Sequence, residues 1–261
     1  MIASLTLRAQ RMRCAEGPVL VAVIGPPGAG KSTVVSHLTK PGGVPVFRLR
    51  EMIRSHPQLL ADFAPSPDPL GWVGLQAVWR VLHAAFVDGL FDVGRGPVVL
   101  DNFPGTAGQL ELLAEIADAV GAQVALLELR ASATTLVLRV AQRRVCLACS
   151  PDSHAPAVAS ETDSKRCASC GATLSRRFSD VPRLHGLRLA RYSANLPEIT
   201  ELAAERGIPH QRVDADLAMP DVLAAAKRAF SLLSACASTD STDPFGADRD
   251  RRRLADADAA P

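Results

Sequence analysis

Six apolar residues, Val19-Leu-Val-Ala-Val-Ile24, run directly into Gly25-Pro-Pro-Gly-Ala-Gly-Lys31-Ser32-Thr33, and this junction restricts the fold more than any other stretch of the chain. A buried strand, a glycine-rich turn and a helix are implied in immediate succession. The turn fits G-x-x-x-x-G-K-[ST], a pattern that aims backbone N–H groups at phosphate oxygens. Gly25, Gly28, Ala29, Gly30, Lys31, Ser32 and Thr33 therefore form a candidate cradle for nucleotide phosphates. Lys31 is placed to reach the terminal phosphates, the Ser32 hydroxyl to ligate Mg²⁺, and the new helix to offer its positive end to the anion.

The remaining strand signals are Val44-Pro-Val-Phe47, Pro97-Val-Val-Leu100, Val124-Ala-Leu-Leu-Glu-Leu129 and Gln211-Arg-Val213. Helical patterns separate them: about Lys31 to Leu38, 50 to 95, on to Val120, on to Ala141, Val181 to Arg206 and Met219 to Leu233. Alternating strands and helices predict an α/β fold with a central parallel sheet covered on both faces, ligands binding at the carboxyl ends of its strands. In the 50 to 95 stretch, Trp72, Val73, Leu75, Val78, Trp79, Leu82 and Phe86 mark one apolar face. The two tryptophans suit core or groove packing, with base stacking as the other use.

With 261 residues, 48% of them hydrophobic, the chain can bury one sizeable core plus an inserted subdomain. A net charge of only +2 gives no global pull toward nucleic acid or a membrane surface. No apolar run reaches the ~20 residues of a membrane span, and the first residues lack the longer apolar region of a signal peptide. The expectation is a cytoplasmic monomer acting on small-molecule nucleotides, without nucleic-acid or membrane partners. From Ala237 onward, charges alternate with small residues and few apolar ones, which predicts a disordered tail.

Two further anchors carry chemistry. Leu100-Asp101-Asn-Phe-Pro-Gly-Thr106, followed by Gln109, sets an acid at a strand end, where it can hold the water shell of Mg²⁺. Thr106 is better placed to cap the next helix. Cys146-Leu-Ala-Cys149 and Cys167-Ala-Ser-Cys170 are separated by 17 residues, a spacing suited to structural Zn²⁺ held by four thiolates. His154 is a polar residue between the two pairs, and Cys14 and Cys236 receive no role. Lys31, Arg139, Arg143, Arg177 and Arg188 form a basic set. In phosphoryl transfer, catalysis is mostly positioning and charge neutralisation, and guanidinium groups grip phosphate oxygens with paired bonds.

In order and spacing, the loop at Gly25, Met52-Ile-Arg54, the Asp101 motif with Gln109, Arg139 and Arg143 ahead of the first cysteine pair, and the run Leu174, Arg177, Asp180, Arg188, Leu189 and Tyr192 resemble the adenylate kinase family of nucleoside monophosphate kinases, in the form with a zinc-bearing lid. The resemblance spans about residues 19 to 233. It implies a P-loop NTPase three-layer fold divided into an extension (1–17), a kinase domain (18–236, with an acceptor-binding insertion at about 47–95 and a lid at about 144–180) and a tail (237–261). It implies transfer of the γ-phosphoryl group of ATP to a nucleoside monophosphate, AMP above all, with Mg²⁺. Lys31, Asp101, Arg139, Arg143, Arg177 and Arg188 are then catalytic, Arg139 and Arg143 also holding the donor. Arg54, Gln109, Arg177 and Arg188 face the acceptor.

The acceptor side departs from the family. Ser-Thr-Gly-Asp ahead of the arginine matched by Arg54 is replaced by Arg48-Leu-Arg-Glu51, and the arginine that follows Phe-Pro and clamps the acceptor phosphate is Gly105. Arg48 or Arg50 is expected to supply the missing charge. Two other functions fit the same residues: a P-loop phosphotransferase for a different acceptor, and a nucleotide-binding regulatory protein with weak turnover.

Overall fold

A computed structural model describes residues 17–40, 43–64, 66, 68–94, 96–149 and 156–235. The readings of the extension, the tail, His154, Cys14 and Cys236 lie outside these residues. Among the described residues the strands are β1 (Val19–Ile24), β2 (Val46–Phe47), β3 (Val98–Asp101), β4 (Gln123–Arg130) and β5 (His210–Asp214). The helices are α1 (Lys31–Thr39), α2 (Leu49–Ser55), α3 (Leu75–Leu82), α4 (Ala107–Ala119), α5 (Ala133–Gln142), α6 (Pro182–Glu205) and α7 (Met219–Ser234).

The five strands form one parallel sheet in the order β2-β3-β1-β4-β5. Every residue of β1 is buried, as its unbroken apolar run requires of a central strand. Alternation along the strands divides the core in two. Leu20, Ala22, Leu100 and Leu126 meet Leu110 and Leu113 of α4 on one face, while Val21, Val23 and Leu127 meet Val34 and Val35 of α1 and Val222 of α7 on the other. Each fully buried Leu contributes about 2 kcal/mol. The helices that follow β1 and β3 thus cover opposite faces, and a crevice opens between the carboxyl ends of these adjacent strands.

Between β2 and β3 the chain is less helical than its apolar spacing predicts. Helix is confined to α2, a 3₁₀ turn at Pro57–Leu60, α3 and a π-helical segment at His83–Val87. The described residues of 61–74 and 88–97 are not helical, because Pro69, Gly71 and Gly74 interrupt the first stretch and Gly89, Gly94 and Gly96 the second. The inner face of α3 is Ala77, Val78, Val81 and Leu82. Trp79, expected on that face, points outward at 44% exposure and packs on the His83 ring.

One charge lies inside the sheet. Glu128 of β4 is fully buried and is met by Arg130 Nε (2.8 Å), His210 Nε2 (2.9 Å) and Arg212 Nε (3.4 Å). Parallel pairing of β4 with β5 brings these groups to one spot. Burial alone would raise its pKa, but His210 and Arg130 outweigh it and hold the carboxyl down to about 2. No helix among the described residues is long and apolar enough to cross a membrane.

Candidate functional site

The loop after β1 closes on itself through the Ala29 N–H, which donates to the Pro26 carbonyl at 3.1 Å. Gly28 has φ +97°, and a Cβ there would lie 2.9 Å from Val140 of α5, so both backbone and space demand glycine. The loop delivers its amides to the first turn of α1, where helix N–H groups are unpaired and the dipole favours an anion. Lys31, 9% exposed, folds back over the loop, with Nζ donating to the carbonyls of Gly25 (2.6 Å) and Pro26 (3.0 Å).

Two distant side chains brace the loop from behind. Arg139 of α5 donates to the Ala29 carbonyl at 3.1 Å, and the buried ring of His185 on α6 meets the Pro27 carbonyl at 3.2 Å. Of these, Arg139 carries a signal in sequence through its position ahead of the first cysteine pair. His185 carries none, because its partner lies 158 residues away.

Across the crevice stands Asp101, whose position at the end of β3 is fixed by pairing with Val23 of β1. Its Oδ2 accepts from Arg48 Nε at 3.0 Å, while its buried Oδ1 has no hydrogen-bond partner among the described residues. An orphaned, desolvated carboxylate oxygen beside a phosphate cradle fits the water shell of a divalent cation. Thr106 caps α4 by accepting from the Gln109 N–H at 3.2 Å, as its sequence position predicts, and Gln109 Oε1 accepts from the Gly105 N–H at 2.8 Å.

Arg143 and Arg177 come from the segment that joins α5 to α6, and Arg188 from α6 itself. Arg143 forms a two-pronged pair with Asp180, and Arg188 donates to Ser179 Oγ at 3.3 Å. Lys31, Arg143, Arg177 and Arg188 line one cavity together with Arg48, Arg50, Asp101 and Gln109. Burial and then Arg188 hold the Lys31 ammonium down to about 7, against the opposing pull of Asp101. Burial, then Arg177 and Arg143, hold Arg188 down to about 10, and burial with Arg143 also lowers Arg177. Cations pressed against one another around a shared space await an anion.

Arg139 lines an adjoining pocket with Gly28, Gly30, Thr33 and Arg143, beneath Pro156 and Leu174. Arg54 is not brought to the central cavity. It sits on the exposed side of α2, with Nε donating to the Arg50 carbonyl at 3.2 Å. Arg50 reaches the cavity lining while donating to the Leu70 carbonyl at 2.9 Å.

The segment between α5 and α6 carries all four paired cysteines. Isolated bridges Val145–Ser175, Ala159–Cys167 and Arg166–Thr173 fold it back on itself around a small cluster of Cys146, Cys167 and Leu174. The four Sγ atoms lie within 4.8 Å of one another, Cys146 and Cys170 at 3.4 Å and Cys149 and Cys167 at 3.7 Å. These separations suit four thiolates around one tetrahedral ion. Backbone N–H groups of Ser169 and Cys170 favour the thiolate of Cys167 and hold it down to about 6.

Residues 20–148 match the AAA domain family, a P-loop class. Over 191 residues the chain is 28% identical to an adenylate kinase of Pelobacter propionicus, covering 72% of this chain and 86% of the relative. It is 29% identical over 212 residues to an adenylate kinase of Novosphingobium aromaticivorans (78% and 95%), and 28% over 212 residues to one of Symbiobacterium thermophilum (80% and 97%). With this loop, this sheet and a four-cysteine segment beside them, the chain carries a P-loop domain and is similar over most of its length to adenylate kinases.

Proposed function

We propose that this protein transfers the γ-phosphoryl group of ATP to a nucleoside monophosphate, with AMP as the first candidate acceptor. The observation that carries the reading is the cation-lined cavity, in which the phosphate loop with Lys31 faces Arg143, Arg177 and Arg188 across Asp101. A polyphosphate supplies the negative charge that this set lacks.

In this reading the loop amides and Lys31 hold the donor phosphates, and Arg139 and Arg143 secure the donor side. Arg177 and Arg188 neutralise charge on the moving group, which passes in line toward the acceptor. Ser32 and Asp101 would hold Mg²⁺, which would offset the negative charge of the donor phosphates. Zn²⁺ in the four-thiolate site would be structural, fixing a lid whose apolar cluster is too small to hold it alone. Arg48 and Arg50 supply positive charge toward the acceptor phosphate.

Gly105 favours a second reading, transfer to an acceptor other than AMP, because the position carries no side chain with which to grip a phosphate. A coupled assay with ATP against AMP, CMP, UMP, GMP and dTMP decides between them. Turnover above all with AMP is expected. Turnover with none of the five overturns the nucleoside monophosphate assignment. In the same assay Arg48→Ala or Arg50→Ala should raise the acceptor KM about tenfold or more; an unchanged KM in both removes these residues from the acceptor phosphate.

A further inference from the structure

The space above Gly105 is already filled. A Cβ placed there would lie 2.5 Å from Cη2 of Trp72, 3.1 Å from Cζ3 and 3.3 Å from Cζ2. The indole therefore packs edge-on against the glycine backbone and excludes any larger residue, so Gly105 and Trp72 are a matched pair. The Gly105 backbone is pinned on both sides, its N–H by Gln109 Oε1 at 2.8 Å and its carbonyl by Asn195 Nδ2 at 2.9 Å. It cannot retreat from the ring.

Trp72 is held just as firmly. The Arg191 guanidinium lies over its ring at 4.9 Å from the centroid and is itself paired with Asp68 at 2.7 Å. Asp68 also accepts from the Leu70 N–H at 2.7 Å, and the Leu70 carbonyl accepts from Arg50. Residues 68 to 72 thus form a wall fixed by two arginines and one carboxylate, not a loose loop.

The ring lines the central cavity, with Leu49, Val73, Phe103 and Tyr192 among its neighbours on that lining. The cavity therefore has two kinds of wall, cations around Lys31 and apolar or aromatic groups around Trp72. A ligand with a phosphate at one end and a flat, weakly polar ring at the other satisfies both. Aromatic side chains take up bases by stacking in a way that tolerates different bases, since every base has a π face.

We propose that Trp72 is a specificity-determining residue of the acceptor half of the cavity, its indole stacking on the base of a nucleoside monophosphate. This rests on the acceptor entering the cavity assigned above. It makes recognition of the acceptor depend on a planar ring as well as on the phosphate.

Trp72 and Trp79 are the two tryptophans of the chain, so Trp79→Phe leaves Trp72 as the sole indole reporter. Emission of that variant is titrated with AMP, CMP and ribose 5-phosphate, and affinities are measured by calorimetry. AMP and CMP should quench the emission, while ribose 5-phosphate leaves it unchanged and binds about tenfold more weakly or worse. Trp72→Ala should weaken the nucleotides by a similar factor with ATP affinity kept within about twofold, and Trp72→Phe should restore most of the loss. Ribose 5-phosphate binding as tightly as AMP overturns the proposal, as does an unchanged acceptor affinity in both Trp72 variants. If Trp72→Ala keeps turnover with unaltered acceptor KM, the stacking role fails and the kinase reading stands. If monophosphates quench Trp72 and none is ever phosphorylated, the kinase reading fails and the stacking role stands.

Discussion

Glu128 shows how much one residue inside a parallel sheet can depend on its neighbours. Its carboxylate is held down to about 2 by His210 and Arg130, below the ordinary value of 4.5. Because the folded value lies beneath the unfolded one, the stabilisation is fully present above about pH 4.5 and is lost as pH falls from there toward 2. An acid titration of thermal stability should show that loss, and Glu128→Gln should flatten it while costing about 2 kcal/mol at neutral pH. A Glu128→Gln protein with the parent's acid profile would contradict the account of this cluster. None of this can be read along the chain. Glu128 sits within an apolar strand pattern, and its partners on β5 become neighbours only through strand order.

At the scale of elements, legibility follows the range of the forces involved. β1 and its loop are plain in the sequence, since an unbroken apolar run and a glycine at each strained or crowded turn are local requirements. The cap of α4 by Thr106 is equally local. The helical reading of 50 to 95 fails where prolines and glycines outvote apolar spacing, and Trp79 faces outward because it shares a side of α3 with the exposed Leu75, four residues earlier, while Ala77, Val78, Val81 and Leu82 form the inner face. The pairs Arg48–Asp101, Trp72–Gly105 and His185–Pro27 carry no sequence signal, being products of the sheet's crossovers. The four-cysteine segment is the opposite case, because two C-x-x-C turns at this spacing announce a four-sulfur cluster. If Zn²⁺ holds that cluster, purified protein contains about one zinc per chain and its removal by chelation exposes residues 156–175 to protease. Metal-free protein with the same cleavage pattern and melting temperature would remove zinc from the account.

The whole molecule concentrates charge that its composition conceals. A net charge of +2 hides a cavity where Lys31, Arg143, Arg177 and Arg188 face little compensation beyond Asp101 and Asp180. The sheet order makes this possible by opening its crevice between β1 and β3, so that loop, acid and arginines meet at one end of the fold. Lys31 lies at the centre of that arrangement, and replacing it with Met removes its charge while keeping its length. Measured beside the parent in ATP-dependent phosphoryl transfer, with folding checked by circular dichroism, Lys31→Met should lose turnover by about 10²-fold or more. A folded Lys31→Met protein with the parent's turnover and ATP affinity would contradict the assignment of this cavity to a nucleoside triphosphate.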